Sequence, residues 1–171
     1  TGPQGLLLVR ALGSGHDGPV RAPDAASQIV HGVLNPASVQ VDAARAALVA
    51  GVRAAGWPGP VLHLTSRDSP GRAQAEAAVA AGADVVCVAG GDGTVREVAH
   101  ALAGTTTALG VLPVGTANLF AVNLGLRGGP LTRSVAVALH GAGRGVDVGR
   151  ASWRPVEGGE VGRPTPEETF L

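Results

Sequence analysis

Apolar and polar positions alternate between two periods along most of this chain. Gln28 to Leu34 (QIVHGVL) is a short apolar run that Asn35-Pro36 closes, because proline has no N–H for a strand ladder; it predicts a strand. From Ser38 to Ala55 the spacing changes: Val41, Ala44, Leu48, Val52 and Ala55 share one face at helical period, Asp42 and Arg53 fall off it, and Gly56 supplies the stop. The alternation then repeats. Pro60 to Thr65 predicts a strand, and Ser69 to Ala81 an alanine-rich helix ending at Gly82. Ala83 to Ala89 (ADVVCVA) is nearly continuous β-branched sequence, as expected of a central parallel strand covered on both faces. Thr94 to Ala103 carries Val95, Val98, Ala99 and Leu102 as a helical stripe. Ala108 to Val114 predicts a fourth strand, Leu131 to His140 a helix with Pro130 at its start, and Gly145 to Val148 a short fifth strand.

Five rounds of strand and helix within about 120 residues predict an α/β fold, a mostly parallel sheet flanked by helices. Residues 1–27 hold Gly, Pro, Ser and Asp without a sustained period and are expected to form a flexible leader. Residues 28–150 form the expected α/β domain. Residues 151–171 are polar and Gly/Pro-rich up to Pro164, and Thr169-Phe170-Leu171 reads as a strand cut off at its start. The chain also begins at Thr1 rather than Met, which suggests an incomplete translation product.

Composition narrows the chemistry. All 13 basic residues are arginine, so no lysine is available for a P-loop, a protein-kinase strand or a Schiff base. A phosphate bound here must be held by backbone amides, hydroxyls, arginine or a metal. Thirteen acidic residues balance the arginines, and the aromatic residues number only four; both facts argue against nucleic acid as a partner. Cys87 is the sole cysteine, which excludes an internal disulfide and a multi-cysteine metal site, and its apolar neighbours predict burial. The five histidines show no metal-ligand spacing. The run Gly5 to Val9 stops at Arg10, too short to span a bilayer and without the basic lead of a signal peptide. The expected location is the cytoplasm.

Two loops carry candidate chemistry. Gly90-Gly91-Asp92-Gly93-Thr94 joins the strongest strand to an amphipathic helix, at the carboxyl edge where doubly wound sheets bind ligands. Its glycines allow close backbone approach, and free amides at the helix start favour an anion. The same residues also suit an ordinary turn, and Thr94-Val95-Arg96-Glu97 fits a capping box with Thr94 at its head. Asp92 beside a phosphate points to contact with Mg²⁺ or to proton acceptance from a substrate hydroxyl. The second loop is Leu112 to Phe120 (LPVGTANLF), where Gly115, Thr116 and Asn118 line the neighbouring mouth or Asn118 caps a short helix. Asn35-Pro36 with Ser38, and Thr65, belong to the same edge.

These segments, in this order, resemble the nucleotide-binding lobe of the diacylglycerol kinase catalytic family, which includes bacterial lipid kinases and sphingosine kinases and has NAD kinases as distant relatives. The matching stretches are VLNPASV (Val33 to Val39), Thr65, GADVVCVAGGDGTVREVAHAL (Gly82 to Leu102) and LPVGTANLFAVNLGL (Leu112 to Leu126). The resemblance implies an ATP-dependent kinase acting on a lipid hydroxyl such as that of diacylglycerol. Asn35, Pro36, Ser38, Thr65, Gly90, Gly91, Asp92, Gly93, Thr94, Val95, Arg96, Glu97, Gly115, Thr116 and Asn118 would hold the nucleotide, with Asp92 near Mg²⁺ or the acceptor. A sphingosine-kinase-like or NAD-kinase-like enzyme, or a nucleotide-binding domain without catalysis, shares the same loop. Two positions depart from the family pattern: Leu119 replaces an acidic residue common after the asparagine, and Val122 replaces a basic one. The family's second, β-rich lobe would begin near Phe170. Its absence or truncation here implies nucleotide binding with little turnover by residues 1–171. A lipid acceptor leaves room for peripheral contact with the inner face of the membrane, and for a homodimer.

Overall fold

The computed structural model describes residues 8–12, 28–115, 118–123, 129–141, 143–147, 149–151, 156–157, 160–161 and 168–170. Its elements in chain order are β1 (Leu8–Leu12), β2 (Val30–Leu34), α1 (Val41–Ala54), β3 (Val61–Leu64), α2 (Arg72–Ala80), β4 (Val85–Gly90), α3 (Asp92–Leu102), β5 (Ala108–Pro113), α4 (Leu119–Asn123), α5 (Leu131–His140), β6 (Gly143–Asp147), β7 (Gly149–Ala151), β8 (Val156–Glu157), β9 (Glu160–Val161) and β10 (Glu168–Phe170). The fold is α/β, as the alternation predicts. Six strands form one sheet in the order β3-β2-β4-β5-β1-β6. The first four are mutually parallel; β1 runs antiparallel to β5, and β6 runs parallel to β1.

Three differences from the sequence expectation matter. Leu8–Leu12, inside the stretch expected as a leader, is a strand that pairs at Val9 with Leu109 and along its length with β6. Its LVRAL sequence is too short to show a period, and its partners lie about a hundred residues away. The fifth predicted strand begins two residues earlier, at Gly143, and runs opposite to β2–β5; Val148 lies outside the described residues. Glu168–Phe170 pairs antiparallel with β7, while β8 and β9 form a separate antiparallel pair.

The core lies on both faces of the parallel strands. On one face Ala44, Leu48 and Val52 of α1 and Val135, Ala138 and Leu139 of α5 pack over Val30, Leu34, Cys87 and Leu112. On the other, Ala75 and Ala78 of α2 and Val95, Val98, Ala99 and Leu102 of α3 cover Val33, Val86, Val88 and Val111. Both faces of β4 are therefore dry, and each of its six residues is buried. Burial pushes the Cys87 thiol up to about 12, so it is a packing group and not a nucleophile. Glycine sets how closely α5 can approach: a Cβ on Gly110 would stand 2.5 Å from the Ala138 Cβ and 3.2 Å from Cys87 Sγ.

One polar pair interrupts the apolar sheet. His31 of β2 and His63 of β3 stack with ring centroids 5.2 Å apart, and His31 Nδ1 lies 2.9 Å from His63 Nε2. One nitrogen must donate and the other accept, so both rings cannot be protonated at once. Burial, and secondarily the neighbouring His63, hold the His31 pKa below its ordinary 6.5.

Two outcomes are expected. Gly110→Ala forces β5 and α5 apart and should lower stability by about 1–3 kcal/mol, read as a lower midpoint in urea with an unchanged slope. The His31 shift contributes nothing above the free-histidine value, where both states are neutral. Below pH 6.5 the unfolded chain binds the proton more readily, so stability falls as pH falls. Denaturant melts between pH 7.5 and 5 should show a steeper loss for the parent chain than for His31→Gln. Equal slopes would contradict this assignment.

Candidate active site

The four parallel strands end at one edge, and the predicted site residues follow from those ends. Asn35 leaves β2 and donates its N–H to Ala89 O at 2.8 Å, while Thr65 leaves β3 and donates to Leu34 O at 2.9 Å. Asn35 Oδ1 accepts the Ala37 N–H at 3.0 Å, closing an Asx turn that delays α1 to Val41 and leaves Ser38 in the connecting loop. Asn35 Nδ2 reaches Thr94 Oγ1 at 3.4 Å, tying this loop to the next one.

The glycine loop differs from its expected form. Helix α3 starts at Asp92, two residues before the predicted start, and Gly91 is its N-cap with no side-chain capping bond. Thr94 is therefore not at the head of a capping box. It is buried in the first turn, against Gly90, where a Cβ would sit 2.7 Å from Thr94 Cβ. Because the first intrahelical bond is Val95 N to Gly91 O at 3.1 Å, the N–H groups of Asp92, Gly93 and Thr94 have no intrahelical acceptor. A Cβ on Gly91 or Gly93 would meet nothing within 4 Å, so the loop faces open space. Asp92 is exposed at the positive end of α3.

The other members of the loop have structural partners. Val95 is 1% exposed, in the core. Glu97, instead of reaching back to cap the helix, pairs with Arg72 Nε at 3.1 Å through Oε2, and Arg96 lies 4.0 Å from its other oxygen. Arg72 is a residue that sequence reasoning missed. It occupies the first turn of α2, where a cation is disfavoured by the helix dipole; a basic residue at such a place was the available signal of a specific acidic partner.

The second loop packs directly on the first. A Cβ on Gly115 would stand 2.9 Å from Gly91 Cα and 3.2 Å from Gly90 O, so only glycine permits the contact. Asn118, 1% exposed, donates from Nδ2 to Gly90 O at 3.2 Å and accepts the Ala121 N–H at Oδ1 at 3.3 Å, capping α4. Thr116 lies outside the described residues. A cavity of about 720 Å³ opens between the loops, lined by Asn35, Ser38, Gln40, Gly91, Gly115 and Asn118 among others. That volume suits a ligand of nucleotide size. Gln40, just before α1, carried no sequence signal. Pro36, Thr65, Gly90, Asp92, Gly93 and Thr94 stand at the same edge without lining this cavity, to which the glycine loop contributes Gly91.

Among the described residues there is no cluster of three or more histidine, cysteine, aspartate or glutamate side chains able to hold a metal, and no helix long and apolar enough to cross a membrane. A Mg²⁺ ion arriving with a phosphate would have the exposed Asp92 carboxylate to hold it.

The chain is similar in sequence and fold to known proteins. The sequence profile of the diacylglycerol kinase catalytic domain matches residues 30–151. A diacylglycerol kinase from Bacillus subtilis (strain 168) is 38% identical over 71 residues, 40% of this chain and 23% of that protein. A probable lipid kinase YegS-like from Chromohalobacter salexigens is 41% identical over 121 residues, 68% of this chain and 38% of that protein. The chain thus spans well under half the length of these relatives. A crystal structure of a diacylglycerol kinase from Bacillus anthracis str. Sterne has the same fold, with a TM-score of 0.54 at 24% identity over 65% of this chain and 39% of that one. Strand order, loop placement and these matches agree, and the chain belongs to the diacylglycerol kinase catalytic domain family of lipid kinases.

Proposed function

We propose that residues 28–150 are the ATP-binding domain of a kinase that transfers the γ-phosphate to a lipid hydroxyl such as that of diacylglycerol. The observation that carries this reading is the cavity between the two glycine-bearing loops, lined by Gly91, the N-cap of α3. In the absence of lysine, the amides of Asp92, Gly93 and Thr94 are the groups for a phosphate, with Gly90 and Gly91 letting it approach. Asn35, Ser38, Gly115, Thr116 and Asn118 enclose the rest of the nucleotide; Pro36 and Thr65 shape the rim. Val95, Arg96 and Glu97 serve from behind, holding the loop's helix in place. Mg²⁺, when bound with the nucleotide, neutralises charge developing on the transferred phosphoryl group. Asp92 is suited to hold that ion or to take the proton of the acceptor hydroxyl.

Phosphoryl transfer depends on positioning and charge neutralisation, so binding and turnover can be tested apart. ATP with Mg²⁺ at about a hundred times Kd should stabilise the chain by about 2.7 kcal/mol, a rise of several degrees in melting temperature. No shift at millimolar nucleotide would sink the reading. Asp92→Asn should keep that shift, and in a chain extended by the second lobe that the family resemblance implies it should cut phosphate transfer by at least about a hundredfold. Diacylglycerol, sphingosine and NAD offered to that extended chain as acceptors, with labelled ATP, identify the hydroxyl used; transfer to NAD alone would refute a lipid acceptor.

A further inference from the structure

Asn118 is the one described non-glycine residue with positive φ, at +40°. Asparagine tolerates that region better than most residues, yet it is still uncommon there. Its side chain is also almost fully buried, at 1% exposure. A backbone turn alone requires neither property. What the conformation achieves is visible in its bonds. Nδ2 donates to Gly90 O at the end of β4, and Oδ1 accepts from Ala121 N in α4, so one side chain joins the end of β4 to the start of α4 across 28 residues of sequence. The carbonyl it holds is the one 3.2 Å from the Cβ site of Gly115, where the loops are already in contact.

We infer that Asn118 is a positioning residue: it clamps the loop after β5 to the carbonyl of Gly90 and thereby fixes where the first-turn amides of α3 point. The carbonyl of Gly90 belongs to the peptide whose N–H is that of Gly91, the N-cap of α3. Holding that oxygen on the Asn118 side sets the rotation of the peptide plane at the point where the chain enters the helix. The bond is buried, so water does not readily replace it, and its loss leaves a carbonyl unpaired. The clamp itself is independent of any ligand; only its effect on affinity rests on the nucleotide reading above.

Two variants separate the two bonds. Asn118→Asp keeps size, tolerance of positive φ and the acceptor for Ala121, but turns the donor facing Gly90 into an acceptor. Asn118→Gly keeps the backbone conformation and removes both bonds. In the nucleotide-free chain, hydrogen exchange at the first hydrogen-bonded amides of α3, from Val95 (bonded to Gly91 O at 3.1 Å) onward, should accelerate at least about tenfold in both variants, while β2 exchanges at its parent rate. Unchanged exchange at those amides in Asn118→Asp would overturn the clamp, whatever Asn118→Gly does to folding. Titration of the nonhydrolysable ATP analogue with Mg²⁺ forms the second arm. Asn118→Gly and Gly115→Ala should each weaken binding about tenfold, and together should weaken it less than the product of the two, because both act on one loop spacing. Strict additivity would instead make Asn118 a direct ligand and refute the positioning role. If the parent chain binds no nucleotide, the kinase reading fails, and the exchange arm still decides the clamp.

Discussion

The site depends on β4 being dry on both faces. A parallel strand with helices over each side makes all its ladder bonds within the sheet, here to β2 and β5, and has no freedom to slide or tilt. Its end point is therefore fixed by the core and not by the loop that follows. Gly90 is still in the ladder, paired with Pro113, and one residue later the chain enters α3. The glycine loop is consequently a single linking residue, Gly91, between two rigid elements. That shortness fixes the amides at the helix start largely through the backbone, with Asn118 gripping the one peptide that enters the helix.

The neighbouring loops show the same economy. Each strand delivers a polar residue to the edge, and each such residue ties its loop to the next: Asn35 to Ala89 and Thr94, Thr65 to Leu34, Asn118 to Gly90. Close approach of Gly115 to Gly91 Cα and Gly90 O leaves no room for a side chain at 115, so that contact is backbone on backbone, while Gly90 packs against the Thr94 side chain. Arg72 and Glu97 brace the arrangement from outside, joining α2 to α3 with a pair that is partly solvent-exposed and therefore of modest strength.

The features legible in the sequence were those with strong local signals. The unbroken run at 83–89 marked the central strand, the stripe Val95, Val98, Ala99 and Leu102 marked the face of α3, and loops after those strands could only lie at one edge. The features that escaped depend on partners distant in sequence. Leu8–Leu12 is a strand because β6 and β5 accept it, which no local pattern encodes. The capping-box spacing of Thr94 and Glu97 was present, but α3 began earlier: Gly91 fits the entry to the helix, Thr94 is drawn against Gly90 and Asn35, and Arg72 claims Glu97. Arg72 itself was invisible because its role is defined by a helix packed alongside.

Lack of lysine takes on a structural sense in this setting. A lysine brings a long, mobile cation to a phosphate; of the arginines beside α3, Arg72 is already paired with Glu97 and Arg96 lies by the same carboxylate. The helix end offers an anion partial positive charge that needs no side chain. Such a site has little binding strength held in reserve by flexible side chains, so it depends on backbone placement to a greater degree than one built around a lysine. Placement of that kind is set by peptide orientation, and at this edge the only buried side chain that grips a peptide of the glycine loop, among the described residues, is Asn118.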